Sequence, residues 1–252
     1  MLENLVRQFL YYPEPIAPDE PLPSYIRGAA EVRLATPRGI TVHGLYWPAP
    51  EGRPTILFFH GNAQTVFEWA LIAEELAPLA CGLLLIDYPG YGKSPGAPSE
   101  PANYDAGEGA LQWLLRERQL PLGQILIFGK SLGGGVACEI AQNRPVGGVI
   151  LESTFTSIPA VLKHLIPFLP AGVALKTEVY DSLAKIALIT APVLVVHGTA
   201  DDLIPVSEGQ ALFDRANQPK RLYLVEGAGH ADVSLRAGPA YGATLRQWID
   251  SR

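Results

Sequence analysis

The sequence predicts an α/β protein with a mostly parallel central sheet and helices on both of its faces. Short apolar runs rich in β-branched residues recur along the 252-residue chain, and amphipathic stretches of helical length separate them. Strands that alternate with helices connect through crossovers, so they pair in parallel and are covered on both sides. The composition agrees, because 48% of the residues are hydrophobic and only 17% are charged.

The elements follow in a regular order along the chain. An amphipathic segment over 1–12 precedes a proline-rich stretch, and two alternating segments over 32–36 and 40–47 predict a β-hairpin around Pro37-Arg38-Gly39. Six apolar runs then predict buried strands over 55–59, 82–86, 124–128, 146–151, 192–196 and 221–225. The intervening patterns predict helices over 66–76, 104–118, 132–143, 207–216 and 239–249.

We expect a lead over 1–29 and one domain over 30–252, since no linker or repeat divides the chain. One stretch interrupts the alternation of strands and helices. Apolar, proline-marked residues run from Ile158-Pro159 to Phe168-Leu169-Pro170, and they predict a small cap over about 153–190. An ordinary surface helix is the alternative.

Charge and cysteine content exclude several classes of function. The net charge is -6 and the basic residues form no run, which argues against a nucleic-acid partner. Cys81 and Cys138 are too few for a disulfide framework and lie in no metal-binding spacing, so we expect a cytoplasmic protein without metal or cofactor. The segment over 1–12 lacks the apolar run of a membrane span or signal peptide. It predicts a packed helix, with a peripheral membrane contact as the alternative.

The pentapeptide Gly129-Lys130-Ser131-Leu132-Gly133 matches G-x-S-x-G. This motif forms a sharp turn between a strand and a helix, and the turn presents a nucleophilic serine above the sheet. An apolar run before Ser131 and a helical pattern after it supply the required context. We therefore predict that Ser131 is a nucleophile.

A serine hydroxyl needs a base, and five histidines are available. His43 lies in the hairpin and His164 in the predicted cap, while His60 and His197 each end a strand before a glycine. His230 lies in a glycine-rich loop after the last strand, so it is the predicted general base.

The acid is expected in the loop that follows the penultimate strand. Asp201 in that loop gives the chain order serine, aspartate, histidine that this type of site requires. Asp202 and, more weakly, Glu152 are the alternatives. The predicted oxyanion donors are two backbone N–H groups: that of Leu132, directly after the nucleophile, and that of Asn62, in the loop that follows the strand over 55–59.

Five motifs together resemble one group of α/β-hydrolases, that of the fungal bud-emergence protein and the mammalian α/β-hydrolase-domain lipid hydrolases and depalmitoylases. They are Phe59-His60-Gly61-Asn62-Ala63, Asp87-Tyr88-Pro89-Gly90-Tyr91-Gly92-Lys93-Ser94, Gly129-Lys130-Ser131-Leu132-Gly133-Gly134, Glu152-Ser153-Thr154-Phe155 and His197-Gly198-Thr199-Ala200-Asp201. The resemblance runs from about Ala30 to the C-terminus. It implies an α/β-hydrolase fold, Asp201 as the acid and Asn62 as the second oxyanion donor.

We therefore expect a serine hydrolase that cleaves small acyl esters through an acyl-enzyme on Ser131. A peptidase or amidase and a thioesterase could use the same three residues. A binding protein that has kept the fold without turnover is the alternative from another class.

Overall fold

The computed structural model describes residues 2–166 and 175–252. Within these residues eight strands form one sheet in the order β1-β2-β4-β3-β5-β6-β7-β8. The strands are β1 (Ala30–Ala35), β2 (Thr41–Trp47), β3 (Thr55–Phe59), β4 (Gly82–Ile86), β5 (Ile125–Lys130), β6 (Gly148–Glu152), β7 (Val193–Gly198) and β8 (Lys220–Val225). The pairs β1–β2 and β2–β4 are antiparallel, and all others are parallel.

Helices cover both faces of the sheet. They are α1 (Leu2–Leu10), α2 (Val66–Trp69), α3 (Ile72–Leu76), α4 (Glu100–Arg116), α5 (Leu132–Ala141), α6 (Ile158–Leu165), α7 (Ser182–Ile186), α8 (Val206–Arg215), α9 (Val233–Ala237) and α10 (Pro239–Asp250). One core contains buried residues of α1 and α4 to α8, and the second core contains buried residues of α2, α3, α9 and α10. The predicted mostly parallel, doubly covered sheet is confirmed.

The hairpin and the six later strands form where the sequence predicts them, with ends that differ by at most two residues. The expectation that the last of them is buried is wrong, because β8 lies at the edge of the sheet and only its Val225 is buried. The single helix expected over 66–76 is wrong. Thr65 caps α2 with its side chain and Glu68 closes a capping box, but Ala73 N–H then bonds to Ala70 and Glu74 N–H to Leu71, three residues back. These tighter turns divide the segment into α2 and α3.

The predicted cap region over 153–190 contributes α6 and α7 to the described structure. Its part over 167–174, which includes Phe168-Leu169-Pro170, lies outside the described residues. The division into a lead, a domain and a cap stays a prediction. Across the described chain no helix combines the length and the apolar character needed to cross a bilayer.

Candidate active site

Ser131 lies in a strained turn between β5 and α5. Its backbone has φ 52° and ψ -120°, in a region that residues with a side chain rarely adopt. The turn is held by three hydrogen bonds: Ser131 N–H donates to Glu152 O at 2.9 Å, and Ser131 O accepts from Gly134 N–H at 2.9 Å and from Thr154 Oγ1 at 2.7 Å. The predicted strand–turn–helix context of the serine is therefore present.

Close backbone approach explains two glycines of the motif. A Cβ on Gly129 would overlap the backbone of Gly133 across the turn, and a Cβ on Gly133 would overlap the carbonyl of Phe59 at the end of β3. Only glycine leaves room for the helix to begin this close to the strands. The packing thus fixes the serine at the carboxyl edge of the sheet.

The three predicted catalytic side chains meet at this edge. His230 Nε2 lies 3.0 Å from Ser131 Oγ, and His230 Nδ1 lies 2.8 Å from Asp201 Oδ2. A neutral ring with its proton on Nδ1 satisfies both contacts, because Nδ1–H donates to Asp201 and Nε2 accepts from the serine hydroxyl. This is the geometry in which a histidine can take the serine proton.

Asp201 is fixed by contacts to both of its oxygens. Oδ1 accepts from Ile204 N–H at 2.8 Å and from Leu203 N–H at 3.1 Å, while Oδ2 faces His230 and lies 3.4 Å from His197 Nε2. Burial alone would raise the pKa of Asp201, but the hydrogen bonds from the two histidines and from Ile204 hold it well below its usual range. The carboxylate is therefore charged whenever the protein is folded near neutral pH.

The loops that carry the acid and the base are joined by backbone hydrogen bonds. Thr199 N–H donates to Val225 O at 3.0 Å and Ala200 N–H donates to Ala228 O at 2.9 Å. Gly229 N–H, directly before His230, donates to Asp232 Oδ1 at 2.7 Å. These contacts hold the two loops together, although 28 residues separate Asp201 from His230 in the sequence.

The other histidines have structural contacts. The ring of His60 is buried against Tyr88, at a centroid distance of 4.4 Å, and burial lowers its pKa. His43 contacts Asp87 through Nδ1 at 3.0 Å, and His164 Nε2–H donates to the backbone oxygen of Asp202 at 3.2 Å. None of these three rings contacts Ser131 in the described structure.

The two alternative acids lie away from His230. The Asp202 side chain is exposed. The Glu152 carboxylate is buried and accepts hydrogen bonds from Lys130 Nζ at 2.7 Å and from Tyr241 O–H at 2.5 Å. The geometry therefore favours Asp201 over both alternatives.

Asn62 and Leu132 flank the serine as the sequence predicts. Both residues line one cavity with Ser131, and Gly61 approaches the serine so closely that a Cβ there would lie 3.4 Å from Ser131 Cβ. The Asn62 side chain is held in place, since its Oδ1 accepts from Tyr91 O–H at 3.0 Å and from Ala63 N–H at 2.8 Å. Both residues thus lie beside the serine, and the role of their backbone N–H groups as oxyanion donors stays a prediction.

Two cavities open on Ser131. The first, which we call the apolar cavity, has a volume of about 540 Å³. Its walls come mainly from α1, α6 and the loop after Asp201; they include Val6, Phe9, Leu10, Phe155, Ile158, Val161, Leu162, Leu165, Ile166, Leu203 and Ile204. This space can hold a hydrocarbon chain next to the nucleophile.

The second, which we call the polar cavity, has a volume of about 670 Å³ and shares Ser131 and Asn62 with the first. Its walls include Gln64, Glu68, Trp69, Glu75, Lys130, His230, Ser234 and Tyr241. Burial by itself would lower the pKa of Lys130, but the Glu152 carboxylate raises it, so the two form a charged pair beneath the cavity. This pair could not be predicted from the sequence, because Lys130 occupies a variable position of G-x-S-x-G that has no fixed role.

Helix α1 is tied to the domain by a buried carboxylate. Glu178, whose side chain is fully buried, accepts from Arg7 Nε at 2.8 Å, from Tyr11 O–H and from Glu100 N–H at 2.9 Å. The Tyr11 hydroxyl also contacts the Tyr180 hydroxyl at 2.8 Å. The amphipathic pattern predicted that this segment packs as a helix. It could not indicate that α1 forms a wall of the site, because α1 is held there by Glu178, which lies about 170 residues further along the chain.

A nucleophilic serine on a turn after a central strand, with carboxylate and histidine on loops after later strands, defines the α/β-hydrolase class. Residues 54–174 match the family model for the alpha/beta hydrolase fold. An uncharacterized protein of Mycobacterium tuberculosis is 34% identical over 245 residues, 96% of this chain and 86% of that protein. Human alpha/beta hydrolase domain-containing protein 17B is 36% identical over 204 residues, 80% of this chain and 68% of that protein.

The chain therefore belongs to the α/β-hydrolase family, which confirms the resemblance seen in the sequence. A Pyrococcus furiosus esterase of 16% identity superposes with a TM-score of 0.75 over 96% of this chain and 97% of its own. At this identity the likeness concerns the fold alone. The protein is a hydrolase.

Proposed function

We propose that the protein is a serine esterase that cleaves carboxylic esters through an acyl-enzyme on Ser131. The hydrogen-bonded series from Ser131 through His230 to Asp201, at the mouth of an apolar cavity, is the observation that carries the proposal. The apolar cavity takes the acyl chain. Its volume of about 540 Å³ suits a chain of short to medium length.

The reaction proceeds in two halves. His230 Nε2 takes the proton of Ser131 Oγ as that oxygen attacks the ester carbonyl carbon, and the backbone N–H groups of Asn62 and Leu132 stabilise the oxyanion. The imidazolium, stabilised by Asp201, then gives its proton to the leaving alcohol. In the second half His230 activates a water molecule that hydrolyses the acyl-enzyme, and Ser131 regains its proton.

Thioesters and amides could react by the same steps, since the acyl-enzyme is common to all three. We favour esters because the cavity next to Ser131 has mainly apolar walls, which suit the hydrocarbon chain of an acyl group. A direct comparison separates them: an ester, a thioester and an amide with one acyl group are offered to the purified protein. We expect kcat/KM to be highest for the ester or thioester and lowest for the amide.

The test of the nucleophile is labelling with a fluorophosphonate probe, followed by mass-spectrometric location of the label. We expect label on Ser131 in the wild type and no label in Ser131→Ala, whose kcat falls by about five to six orders of magnitude. Unchanged thermal unfolding of the variant shows that the loss is chemical. A variant that keeps most of its turnover would overturn the proposal, and a wild type that binds esters without being labelled would favour a binding protein.

A further inference from the structure

Ser131 lies where the apolar and polar cavities meet, but His230 lines the polar cavity and is absent from the described walls of the apolar one. Leu132, whose backbone N–H faces the developing oxyanion in the proposed reaction, lines the apolar cavity and is absent from the described walls of the polar one. The two halves of an ester therefore meet different surroundings on the two sides of the nucleophile.

The position of His230 determines which of the two cavities receives the leaving group. In an acyl transfer at serine, the imidazolium donates its proton to the leaving atom, so that atom must come within hydrogen-bond reach of His230 Nε2. A leaving group on that side extends into the polar cavity. The acyl chain then occupies the apolar cavity on the other side of Ser131.

The polar cavity carries an excess of negative charge. Glu68 and Glu75 line it, and Glu75 accepts a hydrogen bond from Ser234 Oγ at 3.1 Å. Lys130 is the one lysine or arginine among its described lining residues, and the buried Glu152 neutralises it. An anionic leaving group would therefore meet two carboxylates, and no lysine or arginine among the described lining residues is free to compensate them.

The same walls suit a cation. Trp69 lines the polar cavity, and its ring already lies 5.8 Å from the ammonium of Lys130. Indole faces attract ammonium groups through the ring quadrupole, and the nearby carboxylates add a Coulomb term.

We propose that the natural substrates have a leaving alcohol or thiol that carries positive charge, and that anionic leaving groups are rejected. This inference rests on the proposed esterase function and deepens it. The reaction remains a hydrolysis: the bond from the acyl carbon to the leaving oxygen or sulfur breaks, a bond to Ser131 Oγ forms, and the leaving atom receives its proton from His230. Water then releases the acid.

Three thioesters of one medium-chain acid test the charge preference, because they share the acyl group and the leaving sulfur. The leaving thiols are thiocholine, 2-mercaptoethanol and 2-mercaptoethanesulfonate, which are cationic, neutral and anionic, and a chromogenic thiol reagent reports release. We expect kcat/KM to fall in that order, with a cation-to-anion ratio of about tenfold or more at low ionic strength that shrinks in salt. Equal values, or the reverse order, would overturn the inference.

Two neighbouring carboxylates supply a matched pair of variants. Glu75→Gln removes a charge from the cavity wall and should lower the cation-to-anion ratio about threefold. Glu74→Gln removes the same charge from the neighbouring residue, which is exposed like Glu75 but does not line the polar cavity, and it should leave the ratio unchanged. Equal effects of the two variants would mean that only net charge matters, which contradicts the inference.

A second measurement separates this inference from the esterase proposal. Choline and 2-hydroxyethanesulfonate are compared as agents that slow the labelling of Ser131 by a fluorophosphonate, which requires the nucleophile but no ester turnover. If choline protects Ser131 at a lower concentration than 2-hydroxyethanesulfonate does, the cationic site is supported. If the thioesters are nevertheless not cleaved, only the esterase proposal fails. Turnover with equal protection by both agents overturns the charge preference alone, and absence of labelling overturns both.

Discussion

Oδ2 of Asp201 lies 2.8 Å from Nδ1 of His230, and the other carboxylate oxygen is occupied by backbone N–H groups. The carboxylate therefore has one orientation available, and that orientation requires a proton on Nδ1. A ring protonated at Nδ1 presents an unprotonated Nε2 to Ser131, 3.0 Å away. The acid thus acts by selecting the tautomer of the base.

The first prediction compares the two adjacent aspartates. Asp201→Asn should keep the fold and lower kcat by about four orders of magnitude, because an amide nitrogen facing Nδ1 favours the wrong imidazole tautomer. Asp202→Asn should lower kcat by less than about threefold, since this side chain is exposed. Both variants are assayed on one activated ester. A larger loss from Asp202→Asn would overturn the assignment of the acid.

The second prediction concerns stability in acid. The pKa of Asp201 is lowered in the folded protein, so its contribution to the free energy of unfolding is complete above the unfolded-state pKa of about 3.9 and is lost as the pH falls below that value. Urea unfolding is measured at about pH 7, 5, 4 and 3. Between the highest and the lowest pH, the free energy of unfolding should decrease more in the wild type than in Asp201→Asn. Asp202→Asn is the control and should follow the wild type. Parallel curves for all three proteins would contradict the lowered pKa.

Much of the site follows from local sequence. The glycines around Ser131 and the glycine-rich loop before His230 mark turns at strand ends, and parallel strands bring such ends to one edge of the sheet. For that reason the three residues could be predicted from order and context. The break between α2 and α3 could not, since the segment keeps a helical pattern throughout and the tighter turns at Ala70 and Leu71 arise from packing.

The walls of the site were not predictable in the same way. Glu178 contacts Arg7 and Tyr11, from which most of the chain separates it in sequence. No local sequence pattern indicates a contact between residues so far apart. Lys130 and Glu152 become partners only because β5 and β6 pair in the register that places them side by side. The positions of residues that line cavities thus depend on tertiary packing. The positions of residues in the turn at Ser131 and in the loops of Asp201 and His230 depend on local turn residues, which can be recognised in the sequence. A membrane contact through α1 stays a prediction.

The third prediction tests the link between Glu178 and α1. Glu178→Gln keeps the shape of the side chain but removes the charge that binds Arg7 and Tyr11, so the free energy of unfolding should fall by about 1.5 to 3 kcal/mol. Hydrogen exchange of α1 should accelerate, because the helix loses its buried partner. Gln8→Ala, at an exposed position of the same helix, is the control. Unchanged exchange in α1 would show that apolar packing alone holds the helix.

The last prediction concerns the length of the acyl chain, and it depends on α1 as a wall of the apolar cavity. Leu10 is partly buried, packs against the core and lines that cavity. Each further methylene buried there should raise kcat/KM about fourfold, equivalent to about 0.8 kcal/mol, until the cavity is full. Leu10→Ala enlarges the cavity and should move this limit to longer chains, whereas Leu10→Trp should move it to shorter ones. A series of p-nitrophenyl esters measures the limit in each variant. Leu188→Ala, an exposed leucine outside the described cavity walls, should leave it where the wild type has it. If both Leu10 variants kept the wild-type limit, the acyl chain would have to lie elsewhere, since opposite changes in side-chain volume at a wall cannot both leave the bound chain unaffected.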